Sequence, residues 1–337
     1  MKTVGYFKAG SIERPDALVD SELPIPTPAP HDLRVKVAAI SVNPVDTKIR
    51  KNRQPQGGKL EVLGWDAAGV VDAIGAEVHN FKLGDRVYYA GAINRPGTNA
   101  EFHLVDSRIV GHAPATLSDA ETAAIPLTAI TAWELLFDRL GVPENGGEGQ
   151  SLLVIGAAGG VGSMLVQLAR SLTRLTIIAT ASRPESQAWC REMGAHHVID
   201  HNQPFEPQLA LIGQAQVSFI ASLTHTHQHW RSIVEVAAPQ GHIALIDDPS
   251  QPLDVMALKS KSLSLHWELM FTRTLFETAD MAEQGRLLDR VAAMVDVGKL
   301  RSTLTQTMNP INAANLRSAH AQIESGQMRG KLVLLGF

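Results

Sequence analysis

From about residue 150 onward, short aliphatic and β-branched runs alternate with longer segments of helical periodicity. Strand-like runs fall near 151–155, 175–180, 196–200, 216–221, 241–246 and 262–267, with helical stretches at 161–173, 185–193 and 228–237. Strands alternating with helices predict a doubly wound parallel α/β sheet, because each crossover has to pack back over a sheet face. The first 125 residues read differently. Asp32-Leu-Arg-Val-Lys-Val-Ala-Ala-Ile40 alternates in its first half, as a half-buried strand does, and further strands are expected at 64–74 and 84–90. Pro24, Pro26, Pro28 and Pro30 impose an extended lead-in. Residues 119–140 predict a helix capped by Ser118 or Asp119. Helical periodicity returns at 277–297 and 311–325, and Lys331–Leu335 reads as a last strand able to rejoin the first unit. The expected organisation is a β-rich domain from 1–125 and 303–337, with an α/β domain between them at 126–302. No internal repeat or low-complexity segment is present.

The sharpest local pattern is Ser151-Leu-Leu-Val-Ile-Gly-Ala-Ala-Gly-Gly-Val-Gly162, an apolar strand entering a glycine-rich turn that opens an apolar helix. Glycine clusters also occur in ordinary tight turns. The order strand, turn, helix instead matches a dinucleotide-binding βα unit, with Ala157, Gly159 and Gly162 at the fingerprint positions and Gly160 and Val161 opening the helix. The first position allows the turn, the second lets backbone approach a pyrophosphate, and the third lets helix pack on strand. The helix N-terminus offers N–H groups and a positive dipole end to phosphate. At the end of the next strand, where an NAD site places an acid against the ribose, this chain has Ser182 and Arg183. An acid would repel a 2′-phosphate; a hydroxyl and a guanidinium hold one. NADPH is therefore the expected cofactor, the alternative being that Arg183 is a solvated loop residue.

Composition narrows the class. The chain has 337 residues, enough for two domains. Its net charge of −4 gives no reason to expect nucleic acid or an anionic membrane as a partner. The single cysteine, Cys190, cannot form an intramolecular disulfide or a multi-cysteine zinc site, which fits a cytoplasmic protein. Residues 149–169 carry no formal charge over 21 positions, a length that suggests a membrane helix. Five glycines and the split into strand-like and helical halves favour a soluble strand–turn–helix instead.

Three motifs carry a family resemblance: Ser41-Val-Asn-Pro-Val-Asp46, Gly64-Trp-Asp-Ala-Ala-Gly-Val-Val71, and the turn from Ala157 to Gly162. They resemble the medium-chain dehydrogenase/reductase superfamily, within it the zinc-independent quinone-oxidoreductase-like branch. The chain is also similar to a bacterial subgroup often labelled a zinc-binding alcohol dehydrogenase family. The resemblance implies a GroES-like β-rich catalytic domain, a Rossmann domain, and homodimers joined at the Rossmann sheet edge near residues 259–270. It also implies positions at which zinc-dependent relatives carry ligands. Here those positions hold Asn43 for a cysteine, Trp65-Asp66 for a His-Glu pair, and Leu127 near a further ligand. Such a set cannot supply the three Cys, His or carboxylate ligands of a catalytic zinc, so no metal is expected. His225, His227 and His229 form a short histidine tract whose alternatives are metal binding or a loop near the nicotinamide ribose.

By the same resemblance Asn43 can donate to the substrate oxygen. Asp46 either braces the loop, accepts from the ribose, or simply caps a helix or turn; Thr131 either touches the nicotinamide or bonds its own helix backbone. Trp65, Trp267, Met270 and Phe271 are apolar pocket candidates, their alternative being core or dimer contacts. His201, Arg329 and Lys331 are expected to bring positive charge towards the cofactor. The expected function is NADPH-dependent hydride transfer to a quinone or conjugated enone or enal. A zinc alcohol dehydrogenase with unconventional ligands and a non-catalytic NADPH-binding protein are the alternatives.

Overall fold

Six parallel strands with the order 3-2-1-4-5-6 form the centre of the α/β unit, in a computed structural model that describes residues 1–337. In chain order they are Ser151–Ile155, Thr176–Thr180, His197–Ile199, Val217–Ser222, Ala237–Leu245 and Ser264–Trp267. Every neighbouring pair is parallel, and the reversal of order beside Ser151–Ile155 makes this a Rossmann sheet with its switch point at the glycine-rich turn. Strand Ser151–Ile155 is buried along its whole length, as a central strand covered on both faces must be. Helix Gly160–Leu172 is buried without a break from Gly162 to Ala169, so its middle is covered on all sides and not along one stripe only. The unit spans Thr131–Met270.

The other unit comprises Met1–Ile130 and Phe271–Phe337. Its main sheet has seven strands, and Asp32–Ser41 is its hub, pairing antiparallel with Ala67–Ile74, Phe102–Asp106 and the last strand, Lys331–Leu335. Val333 lies opposite Ser41, so the chain's last strand runs beside the segment leading into Asn43. Helix Glu283–Asp296 belongs to this unit: Tyr88 Oη donates to Leu288 O at 2.6 Å, and Asp296 accepts from the N–H groups of Ala115 and Thr116.

Two departures from the sequence pattern bear on the site. The helix expected over 119–140 is divided into Asp119–Ala123, Pro126–Trp133 and a π-helix, Glu134–Arg139. Pro126 lacks the N–H that would continue the first piece, and the wide turn is marked by Leu140 N–H donating to Leu135 O at 2.9 Å. Ser118 does cap the first piece, in a capping box with Glu121. Conversely, Pro44–Asn52 is a helix that the sequence pattern signals only through the helix-cap alternative for Asp46. No helix is long and apolar enough to cross a membrane.

Candidate active site

The glycine-rich turn follows directly from the end of the buried strand. Gly156 has φ +81°, so the left-handed turn rests on this residue rather than on Ala157. Its N–H donates to Thr180 Oγ1 at 3.3 Å, tying the turn to the neighbouring strand end. Gly159 is the N-cap of helix Gly160–Leu172, with φ −72° and ψ 178°. A Cβ at Gly159 would meet no atom closer than Gly156 O at 3.5 Å, so this face is open, whereas a Cβ at Gly162 would lie 2.6 Å from Ala157 Cα. The two glycines thus do different work: one leaves space, the other permits helix–strand contact. Gly160 and Val161 are half-buried at the helix N-terminus, where the first N–H groups lack helical partners.

Ala181 N–H donates to Ile199 O at 2.9 Å, which brings the ends of the second and third strands together. Ser182 and Arg183 leave one of these ends, and half-buried His201 leaves the other. Burial chiefly lowers the His201 pKa, and the nearby Arg183 charge adds to that shift. The turn, Ser182, Arg183 and His201 therefore occupy the carboxyl ends of three adjacent strands, where open α/β sheets bind their ligands. The histidine tract does not converge. His225 is a left-handed N-cap residue whose Nδ1 lies 2.8 Å from Thr224 Oγ1; His227 faces Ser250; His229 stacks on Phe205 with His201 at 6.1 Å.

In the first unit the buried loop 41–46 builds a compact polar cluster. Asn43 is the N-cap of helix Pro44–Asn52, and Asp46, at the third helical position, accepts from the Asn43 N–H at 2.5 Å. Burial pushes the Asp46 carboxyl up to about 7, against the opposing effect of that hydrogen bond. Asp66 is fully buried and accepts from Asn43 Nδ2 at 2.8 Å, the Leu127 N–H at 2.8 Å and Lys331 Nζ at 3.1 Å. Burial again raises its pKa, and Lys331 and these hydrogen bonds oppose the rise. Lys331 Nζ also donates to Asn43 Oδ1 and Val42 O. Both ends of the Asn43 amide are thus engaged inside the cluster.

The remaining candidates are dispersed. Trp65 is buried with its Nε1–H donating to Ala92 O at 3.1 Å, and its ring meets Phe271 edge-on at 6.1 Å. Met270 is buried, but Trp267 is 53% exposed at the end of the edge strand. Thr131 is buried in the last turn before the π-helix. Lys331 lies with Asn43 and Asp66, while Arg329 is exposed in the turn before it. Sequence reasoning missed Asp66 as a centre and Gly156 as the turn residue. It also missed a buried carboxyl pair, Glu134 and Glu268, with Arg139 Nε donating to Glu268 at 2.8 Å.

A Rossmann sheet with its glycine turn, encoded between the halves of a β-rich unit, is the architecture of a medium-chain oxidoreductase. Residues 29–120 match the alcohol dehydrogenase GroES-like domain, and residues 193–334 match a zinc-binding dehydrogenase domain. The chain is 39% identical over 336 residues to a zinc-type alcohol dehydrogenase-like protein of Staphylococcus aureus, covering 99% of both. It is 30% identical over 312 residues to a Pseudomonas aeruginosa quinone oxidoreductase, covering 91% of this chain and 92% of that one. A crystal structure from Rhizobium etli CFN 42, assigned to the zinc-dependent alcohol dehydrogenases, superposes with a TM-score of 0.96 at 55% identity, covering 100% of this chain and 98% of that one. The chain belongs to the medium-chain dehydrogenase/reductase superfamily, in its quinone-oxidoreductase-like branch, and is an oxidoreductase of that superfamily.

Several of these names imply zinc, and the residues here do not fit it. The groups gathered there are the Asn43 amide, the Asp46 and Asp66 carboxyls, a backbone N–H and an ammonium, with no imidazole or thiolate among them. No group of three or more His, Cys, Asp or Glu side chains is arranged to hold a metal ion. A dinucleotide does fit the other unit, because the Gly159 face is open where a phosphate would approach.

Proposed function

We propose that the chain is a zinc-independent, NADPH-dependent reductase of quinones or conjugated enones and enals. The observation that carries this reading is the glycine turn set beside Ser182, Arg183 and His201 at three adjacent strand ends. The turn and helix N-terminus would hold the pyrophosphate, and Ser182 and Arg183 the 2′-phosphate. When bound, the nicotinamide supplies hydride, and the protein's part is to orient it and exclude water. A quinone or enone accepts hydride as a delocalised hydroquinone anion or enolate and takes its proton from solvent. Such acceptors need less help from a Lewis acid than a simple ketone does, which agrees with a catalytic loop lacking zinc donors. Asn43 and Asp46 are read as loop-forming residues, with Thr131 and the Trp65–Phe271 pair as candidates for the nicotinamide and acceptor surroundings.

The test is a panel of quinones, enals and simple ketones offered with NADPH to protein of measured metal content. Turnover of conjugated acceptors at sub-stoichiometric zinc is expected. Stoichiometric zinc with activity lost to a chelator would move the alcohol dehydrogenase reading ahead. Tight NADPH binding without turnover would leave a binding protein. Arg183→Ala is expected to weaken NADPH by about 1.5–3 kcal/mol, the worth of a hydrogen bond to a charged group, and to leave NADH unchanged. Equal weakening of both cofactors, followed by fluorescence titration, would remove Arg183 from the phosphate site.

A homodimer in the cytoplasm completes the reading. Strand Ser264–Trp267 is a sheet edge with one paired side, and Trp267 and Leu269 are exposed beside it. Sedimentation is expected to give a dimer that Trp267→Lys weakens. A wild-type monomer at micromolar concentration would exclude it.

A further inference from the structure

Two of the residues compared with zinc-site positions, Asn43 and Asp66, come together here, and the group both meet is the ammonium of Lys331, while Trp65 points away with its indole N–H on Ala92 O. The Asn43 amide and the Leu127 N–H both donate to the buried Asp66 carboxylate. Lys331 completes the cluster from the last strand, with its side chain 4% exposed and Nζ 3.1 Å from Asp66 Oδ2 and 3.3 Å from Val42 O. The register of Lys331–Leu335 against Asp32–Ser41 delivers it to that point.

A buried ammonium there performs two tasks of a bound cation. It neutralises Asp66, which would otherwise be an uncompensated buried charge. It also fixes the Asn43 amide: the carbonyl oxygen faces Lys331, so the NH2 must face Asp66. Asn43 in turn caps the helix whose third residue is Asp46. A second cation at this point would be repelled by Lys331 at close range.

We propose that Lys331 is the resident cation of the loop 41–46, a positioning residue whose buried ammonium holds Asn43 and Asp66 in register. Its turnover consequences rest on the reductase reading; its consequences for stability do not.

The experiment is a double-mutant cycle of Lys331→Met and Asp66→Asn, read by thermal melting, together with turnover of Lys331→Ala in added alkylammonium. Each single variant of the cycle is expected to melt lower than wild type, and the double variant to melt above Lys331→Met. For Lys331→Ala, kcat is expected to fall about 10–100-fold, the scale seen when a partner of site-forming residues is removed. Ethylammonium is expected to restore part of that loss, and neutral 1-propanol to restore none. Additive melting shifts would overturn the proposal, as would Lys331→Ala turning over at the wild-type kcat or equal rescue by propanol. If the wild type reduces no acceptor, the reductase reading fails, and the melting cycle alone decides the role of Lys331.

Discussion

Gly159→Val is expected to leave the protein folded and to lower its affinity for a nicotinamide dinucleotide on the order of a hundredfold or more, equivalent to about 3 kcal/mol. The neighbouring change Gly162→Val is expected to do the reverse, costing about 3 kcal/mol or more of stability through overpacking. The contrast follows from what surrounds each glycine. At Gly159 the backbone angles suit any residue, and an added Cβ would stop 3.5 Å from Gly156 O. Its branches would enter the space that a pyrophosphate requires. At Gly162 the Cβ would lie 2.6 Å from Ala157 Cα and Gly156 O, and neither backbone atom can yield without separating helix from strand. Thermal melts and cofactor titrations of both variants separate the two effects. Wild-type affinity in Gly159→Val would mean that the cofactor does not use this turn, and a wild-type melt of Gly162→Val would mean that the helix sits farther from the strand.

The nucleotide half of the site was legible because its chemistry is local. A buried strand, a glycine turn and an apolar helix are contiguous, and each advertises itself through periodicity or residue type. All six Rossmann strands fall where the apolar runs predict them, within a few residues at their ends. Even Gly156 stood in the sequence, one residue before the fingerprint, at the point where a strand must turn. The start of helix Pro44–Asn52 was legible too, in the helix-cap alternative for Asp46: Asn43, Pro44 and Asp46 are the N-cap, first and third residues of a capped helix. The break in 119–140 was signalled by Pro126 in the same way.

The polar cluster of the other unit was not legible, because its members meet only through sheet register. Lys331 and Asn43 are 288 residues apart, and nothing near Lys331 in the sequence distinguishes a buried strand lysine from an exposed one. Its positive charge was expected near the cofactor, and its place beside Asp66 depends on antiparallel pairing between the two ends of the chain. Asp66 was visible only as a residue that fails to be a zinc ligand. Its role as the acceptor of three donors emerges when strand, loop and helix start are assembled around it.

Raising the pH from neutrality is expected to destabilise the wild type, and Glu268→Gln to abolish much of that loss. Glu134 opens the π-helix and Glu268 follows the edge strand; both side chains are 0% exposed. One guanidinium serves them, with Arg139 Nε at 2.8 Å from Glu268 and a nitrogen 3.9 Å from Glu134. Two buried carboxylates cannot both stay ionised beside a single cation. Burial, then the neighbouring Glu134, holds the Glu268 carboxyl far above the usual carboxylate range, and the two carboxyls hydrogen-bond through the retained proton. The folded state therefore keeps a proton that the unfolded chain has already lost. The stabilisation is complete below the ordinary glutamate pKa. It declines as pH rises towards the raised folded value, by up to about 1.4 kcal/mol per pH unit for one proton. A glutamine at 268 supplies the bridging donor at every pH and removes this slope. Urea denaturation of both proteins at a series of pH values from 6 to 10 reads the difference directly. Parallel stability curves would show that the pair holds no extra proton and that Arg139 alone balances it.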